Sequence, residues 1–136
     1  MQIRYSKKLS MRIAGKMKDL AWSNYESTDK DEAFIIFNDD DNNLIGIAKI
    51  RFDGFVPNDN GPAINIFLDK FEVNPKIRGG GWGRTMLNWL VDRYNINKIT
   101  LHHVEPTYDG GKSRSWWKHM GFSKTTKVRN ELTKIF

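Results

Sequence analysis

The sequence predicts an α/β fold built as one domain over residues 1–136, and three features carry that reading. An apolar run at 63–73, rich in Ile and Phe, reads as a strand, and the run at 82–94 that follows is amphipathic. Trp82, Met86, Leu87, Leu90 and Tyr94 recur there about every four residues, which is a helical stripe. The two runs are joined by a turn with glycine at four of five positions, Gly79, Gly80, Gly81 and Gly83. Upstream, apolar runs at 33–37 and 44–52 flank a polar turn and read as a hairpin.

At 136 residues the chain can bury a real core. Its 28% charged and 39% hydrophobic residues suit a soluble globular protein. The absence of cysteine excludes disulfides, thiolate metal sites and a cysteine nucleophile. No apolar run reaches membrane-spanning length, and residues 1–8 lack the apolar centre of a secretion signal. The expectation is a cytoplasmic, metal-free protein with no membrane partner, as monomer or homodimer. A net charge of +6 favours a polyanion contact from the basic surface, although coding bias toward Lys would give the same balance.

In chain order, residues 2–5 form a short strand and residues 7–21 a helix with Leu9, Ile13, Met17 and Leu20 on one face. Lys7, Lys8, Arg12, Lys16 and Lys18 lie off that stripe, either as a solvated face or as a nucleic-acid footprint. Residues 22–31 are polar and irregular. The acids in the 38–43 turn lack the spacing of a calcium loop and read as turn chemistry. Residues 53–62 form a loop long enough for a lid or a substrate wall. Within the 63–73 strand, Ile64, Ile66 and Leu68 share one parity while Phe71 and Val73 share the other. A bulge produces such a switch, as does burial on both faces. A strand at 98–104 carries His102 and His103, a loop covers 105–112, a helix covers 113–120 and stops at Gly121, and the tail through Phe136 supplies one or two strands.

A glycine-rich turn opening a helix makes an anion site. The first helical amides have no internal acceptor, the helix dipole adds positive charge there, and glycine lets a ligand come close to the backbone. Arg78 and Arg84 flank the turn and can add charge-assisted bonds. An NTPase loop is excluded because no Gly-Lys-Ser/Thr ending is present, and Arg84 stands where the dinucleotide fingerprint needs its third glycine.

What fits is Arg78-x-x-Gly81-x-Gly83 after a strand ending at Val73, with Asn74-Pro75 leading in. This resembles motif A of the GNAT-type N-acetyltransferases. The segment Ser115-Trp116-Trp117-Lys118-His119-Met120-Gly121-Phe122 resembles a second signature of that family, one strand further on. The resemblance spans about residues 63–122. It implies a mixed, mostly antiparallel sheet with flanking helices and a splayed central strand pair. It also implies acetyl-CoA as co-substrate, its pyrophosphate on Gly79, Gly80, Gly81, Trp82, Gly83 and Arg84 together with Arg78. The bulged strand would place the Phe71, Glu72 and Val73 backbone along the pantetheine arm and polarise the thioester carbonyl.

The chain departs from the family at the catalytic residues. Trp117 stands where members often carry a tyrosine acid; indole only donates and cannot transfer that proton, so Trp117 is expected to fill the pocket against the cofactor. Tyr108, in the 105–112 loop, is the candidate substitute acid; the alternative is that the thiolate leaves without one. Phe67 occupies a position where a glutamate base is sometimes found, leaving Asp69, His102 and His103 as candidate bases. The expectation is transfer of an acetyl group to an amine-bearing acceptor, most naturally a primary amine, by direct attack on the thioester. The alternative is a non-catalytic nucleic-acid- or protein-binding module on a degenerate GNAT scaffold.

Overall fold

In the computed structural model, which describes residues 2–5, 32–39, 41, 43–53, 62–125 and 128–136, the apolar runs of the sequence close into one sheet. The strands are β1 (Gln2–Tyr5), β2 (Glu32–Asn38), β3 (Leu44–Phe52), β4 (Ile64–Val73), β5 (Ile96–His102), β6 (Ser123–Lys124) and β7 (Glu131–Ile135). Their order is β1-β2-β3-β4-β5-β7-β6, and every neighbouring pair is antiparallel except β4 with β5. The helix expected at 7–21, the segment at 22–31 and most of the 53–62 loop lie outside the described residues.

The helices are α1 (Trp82–Tyr94), α2 (Pro106–Asp109) and α3 (Lys112–His119). α1 buries Met86, Leu87, Leu90 and Tyr94 in one cluster with Ile66, Leu68, Ile99 and Leu101 of the central strands. Each such side chain contributes about 1.5–3 kcal/mol on burial. Asn95, in the left-handed conformation, ends α1, and its amide donates to the Val91 carbonyl. α3 adds Trp117, with Met120 and Phe122 just beyond it.

Several expectations shift at their edges. β5 begins at Ile96 and ends at His102, so His103 lies just past the strand. The stretch expected as a loop contains the single turn of α2, too short to show a periodicity. α3 starts at Lys112 and ends at His119. The acids after β2 do the work of a turn: the Asp39 carboxylate accepts the amides of Asp41 and Asn43 at 2.9 and 2.8 Å. These bonds, the Asn43 amide foremost, hold the Asp39 carboxyl below its usual range.

The parity switch in β4 is a bulge. Ile50 of β3 pairs with Leu68 and Lys49 pairs with Lys70, so Asp69 has no opposite number. β4 and β5 pair only from Ile64/Ile96 to Leu68/Leu101. Beyond that rung β4 continues along β3, and β5 continues along β7. The centre of the sheet therefore opens into a V.

Candidate active site

The V is bordered on one arm by Asp69 through Val73 and on the other by His102 and His103. Asn74 donates its amide to the Ile45 carbonyl at 2.7 Å, toward β3. Successive strand amides alternate sides, so the amides and carbonyls of Phe71 and Val73 point the other way, into the opening. Consistently, the Val73 carbonyl accepts a bond from Arg78 Nε at 3.1 Å.

Arg78 braces the start of the turn. Its Nη2 lies 2.8 Å from Oε1 of Glu72, a buried carboxylate in β4. The turn opens with Asn74, whose side chain accepts the Lys76 amide and donates to the Leu44 carbonyl. A single 3-10 turn (Pro75–Ile77) follows, then the glycines. Gly79 and Gly81 adopt φ of 90° and 80°, the left-handed region that glycine enters without cost. A Cβ added at either would meet nothing within 4 Å. Gly81 is the N-cap of α1, and no side chain caps that helix. The first-turn amides of Trp82, Gly83 and Arg84 thus have no capping side chain, at the positive end of the helix dipole.

Gly83 serves a different need. A Cβ there would come within 2.7 Å of the Trp116 ring, so glycine permits α3 to lie against the first turn of α1. Trp116 stacks on Phe71 at 6.0 Å between centroids, and Trp117 meets Phe71, Trp116 and Phe122 edge-on at 5.3, 4.6 and 5.0 Å. Trp117 is buried in this cluster as a packing residue. The sequence assigns Trp116 no site role of its own; its place as the first aromatic of the second signature is the signal that could have found it. Trp82 is half-buried against the core and Arg84 is exposed.

The acid-base candidates are dispersed. Asp69, at the bulge, lies 3.7 Å from Arg51 Nε. The exposed His102 ring is 3.2 Å from a Glu131 carboxylate oxygen. His103 is 8% exposed, and its Nδ1 sits 2.8 Å from the Val104 carbonyl. A carbonyl only accepts, so Nδ1 carries the proton and Nε2 the lone pair in the neutral ring. Tyr108 is 85% exposed on α2, away from the aromatic cluster. Among the described residues no group of three or more His, Asp or Glu could hold a metal ion. No described helix is long and apolar enough to cross a membrane.

Comparison with known proteins gives this geometry a context. The profile of the acetyltransferase (GNAT) family matches residues 5–122. Among solved structures, the chain is similar to Arabidopsis thaliana Naa50 in complex with the bisubstrate analogue CoA-Ac-MVNAL, at 17% identity and a TM-score of 0.62, with 100% of both chains covered. It is also similar to a spermidine N-acetyltransferase SpeG chimera from Vibrio cholerae and hSSAT, at 18% identity and a TM-score of 0.61, covering 99% of this chain and 96% of that one. A transcriptional regulator from Bacillus halodurans C-125 aligns at 14% identity and a TM-score of 0.61, over 93% and 95% of the two chains. At such identities the likeness is one of fold. No curated protein sequence matches closely enough to count as a relative.

Proposed function

The chain belongs to the GNAT family of acetyltransferases, and from that membership we propose that it moves an acetyl group from acetyl-CoA, the family's co-substrate, to a primary amine. The observation that carries this reading is the uncapped start of α1, with its left-handed glycines and open space, set at the end of a bulged strand that lines the V.

In this reading the amides from Gly79 to Arg84 bind the pyrophosphate, Arg84 adds charge from the exposed side, and Arg78 holds the turn against Glu72. The pantetheine arm follows the opening beside Phe71, Glu72 and Val73, and the Phe71 amide is aimed to polarise the thioester carbonyl. Trp116 and Trp117 wall that opening and exclude water. The amine nitrogen forms a bond to the carbonyl carbon, the carbon–sulfur bond breaks with its electron pair leaving on sulfur, and the proton shed by the nitrogen goes to that thiolate. Thiols are acidic enough for that departure without a tyrosine. Alignment of amine and thioester supplies much of the rate.

The amine must first lose a proton. His103 suits this role because its Nε2 carries the lone pair in the neutral ring, whereas Asp69 faces Arg51 and His102 faces Glu131. The naming of two neighbours as a spermidine acetyltransferase and as a complex with a peptide analogue supports an amine acceptor. Calorimetry with acetyl-CoA, then mass spectrometry of polyamine and peptide acceptors, tests the reading; absence of acetyl-CoA binding by the folded protein refutes it. His103→Gln should lower the rate about 10²–10⁴-fold. The same loss in Asp69→Asn or His102→Gln, with His103→Gln active, would move the base to that residue.

A further inference from the structure

The basic side chains of the C-terminal third converge. Arg114 and Lys118 are one turn apart on α3, off the face that buries Trp117. With Lys124 of β6 and Arg129 ahead of β7 they line a cavity of about 340 Å³, which His103 and Glu105 complete. Glu105 is engaged already: its oxygens accept Arg129 Nε at 3.1 Å and Arg129 Nη2 at 3.2 Å, and Asn130 Nδ2 as well. Arg129 and Glu105 therefore offset one another. Arg114, Lys118 and Lys124 have no carboxylate in ion-pair range among the described residues. Other cations are paired, Lys49 with Glu32, Arg51 with Asp69 and Arg78 with Glu72. Three uncompensated positive charges around one concavity repel each other, and an anion among them reverses the sign of that interaction.

We propose that this cavity binds the phosphate of a small phosphorylated molecule. Three convergent cationic donors match a group with three acceptor oxygens and a charge approaching −2 better than a carboxylate. The volume of this open concavity falls in the range of small-molecule sites, so a phosphate with a short organic body fits it. The site shares His103 with the proposed base but no residue with the 79–83 turn, so it stands or falls apart from acetyl-CoA binding.

Backbone NMR titration with inorganic phosphate and with O-phosphoethanolamine, each against sodium chloride at equal ionic strength, tests the assignment. Saturable shifts at Glu105, Lys118 and Asn130 are expected, with the ester binding more tightly than the free ion. The exposed double variant Arg114→Gln/Lys118→Gln should weaken binding at least about tenfold, and Gly81→Glu should leave it unchanged. Shifts that sodium chloride reproduces, shifts confined to residues 79–83, or an unchanged double variant would overturn the site. Binding of the ester no tighter than the free ion would overturn its assignment to an organic phosphate.

Discussion

Helices α1 and α3 start from nearly the same backbone and treat it in opposite ways. Gly81 begins α1 at φ 80°, ψ 8°, and Gly111 begins α3 at φ 83°, ψ 11°. At α3 the Asp109 carboxylate accepts the Gly111 amide at 2.8 Å and the Ser113 amide at 2.9 Å. The residue in the matching place before α1 is Gly79, which has no side chain to offer, and no acid stands in the first turn. Both helix starts are locally positive. α3 satisfies its own with an internal anion, and α1 has no such partner. The proposed ligand site and a structural cap thus differ by one side chain two residues upstream.

That contrast requires both helix starts to be fixed on one sheet, and Trp117 does most of the fixing for α3. Trp117→Ala should cost about 3–5 kcal/mol, the scale of a large truncation in a packed core. Trp117→Phe should fold and keep most activity. Denaturant unfolding decides the first: a loss below about 1 kcal/mol would show that the cluster with Phe71 and Phe122 does not anchor α3.

The sequence made one side of the contrast readable and hid the other. The glycine turn announces itself in consecutive residues, and the limits of α1 follow from an unbroken apolar stripe ending in Asn95. The bulge at Asp69 was legible because strand parity is strict: Leu68 and Phe71, three residues apart, fall on opposite faces of a regular strand and share one only across an extra residue. The Asp109 cap was readable in principle from Asp109-Gly110-Gly111, a turn signal. α2 was not, since four residues hold no periodicity. Pairings of residues distant along the chain were beyond reach: Arg51 with Asp69, Trp116 over Gly83, and the cations that α3, β6 and the turn before β7 bring together. These depend on sheet register and helix docking, which local pattern does not encode.

Giving α1 the internal anion that α3 possesses should close it to ligands. Gly81→Glu puts a carboxylate beside the open amides, and acetyl-CoA affinity should fall at least about tenfold, or about 1.4 kcal/mol. Calorimetry on the folded variant measures this, and unchanged affinity would mean that the pyrophosphate is held elsewhere. Gly81→Ala separates charge from strain. A Cβ in the left-handed region costs about 1 kcal/mol of stability, yet it meets nothing within 4 Å, so affinity should stay close to that of the parent protein.

The smallest effect expected lies at α3 and concerns pH. The Asp109 carboxyl is held below its ordinary value of 3.8, first by the Ser113 amide and then by that of Gly111, with the nearby His103 charge adding to them against some desolvation. A depressed folded pKa means that the carboxylate's contribution is complete above the unfolded value and is lost as pH falls through the lower, folded one. Above pH 3.8 the cap should therefore be insensitive to acid. Carboxyl NMR should place the Asp109 midpoint below 3.8, with the Ser113 amide resonance moving in step. Asp109→Asn retains an acceptor but no charge, and in it the step at Ser113 should vanish while the α1 turn still binds acetyl-CoA. A midpoint at or above 3.8 would show that these amides do not stabilise the carboxylate, and the two helix starts would then lose the difference that separates them.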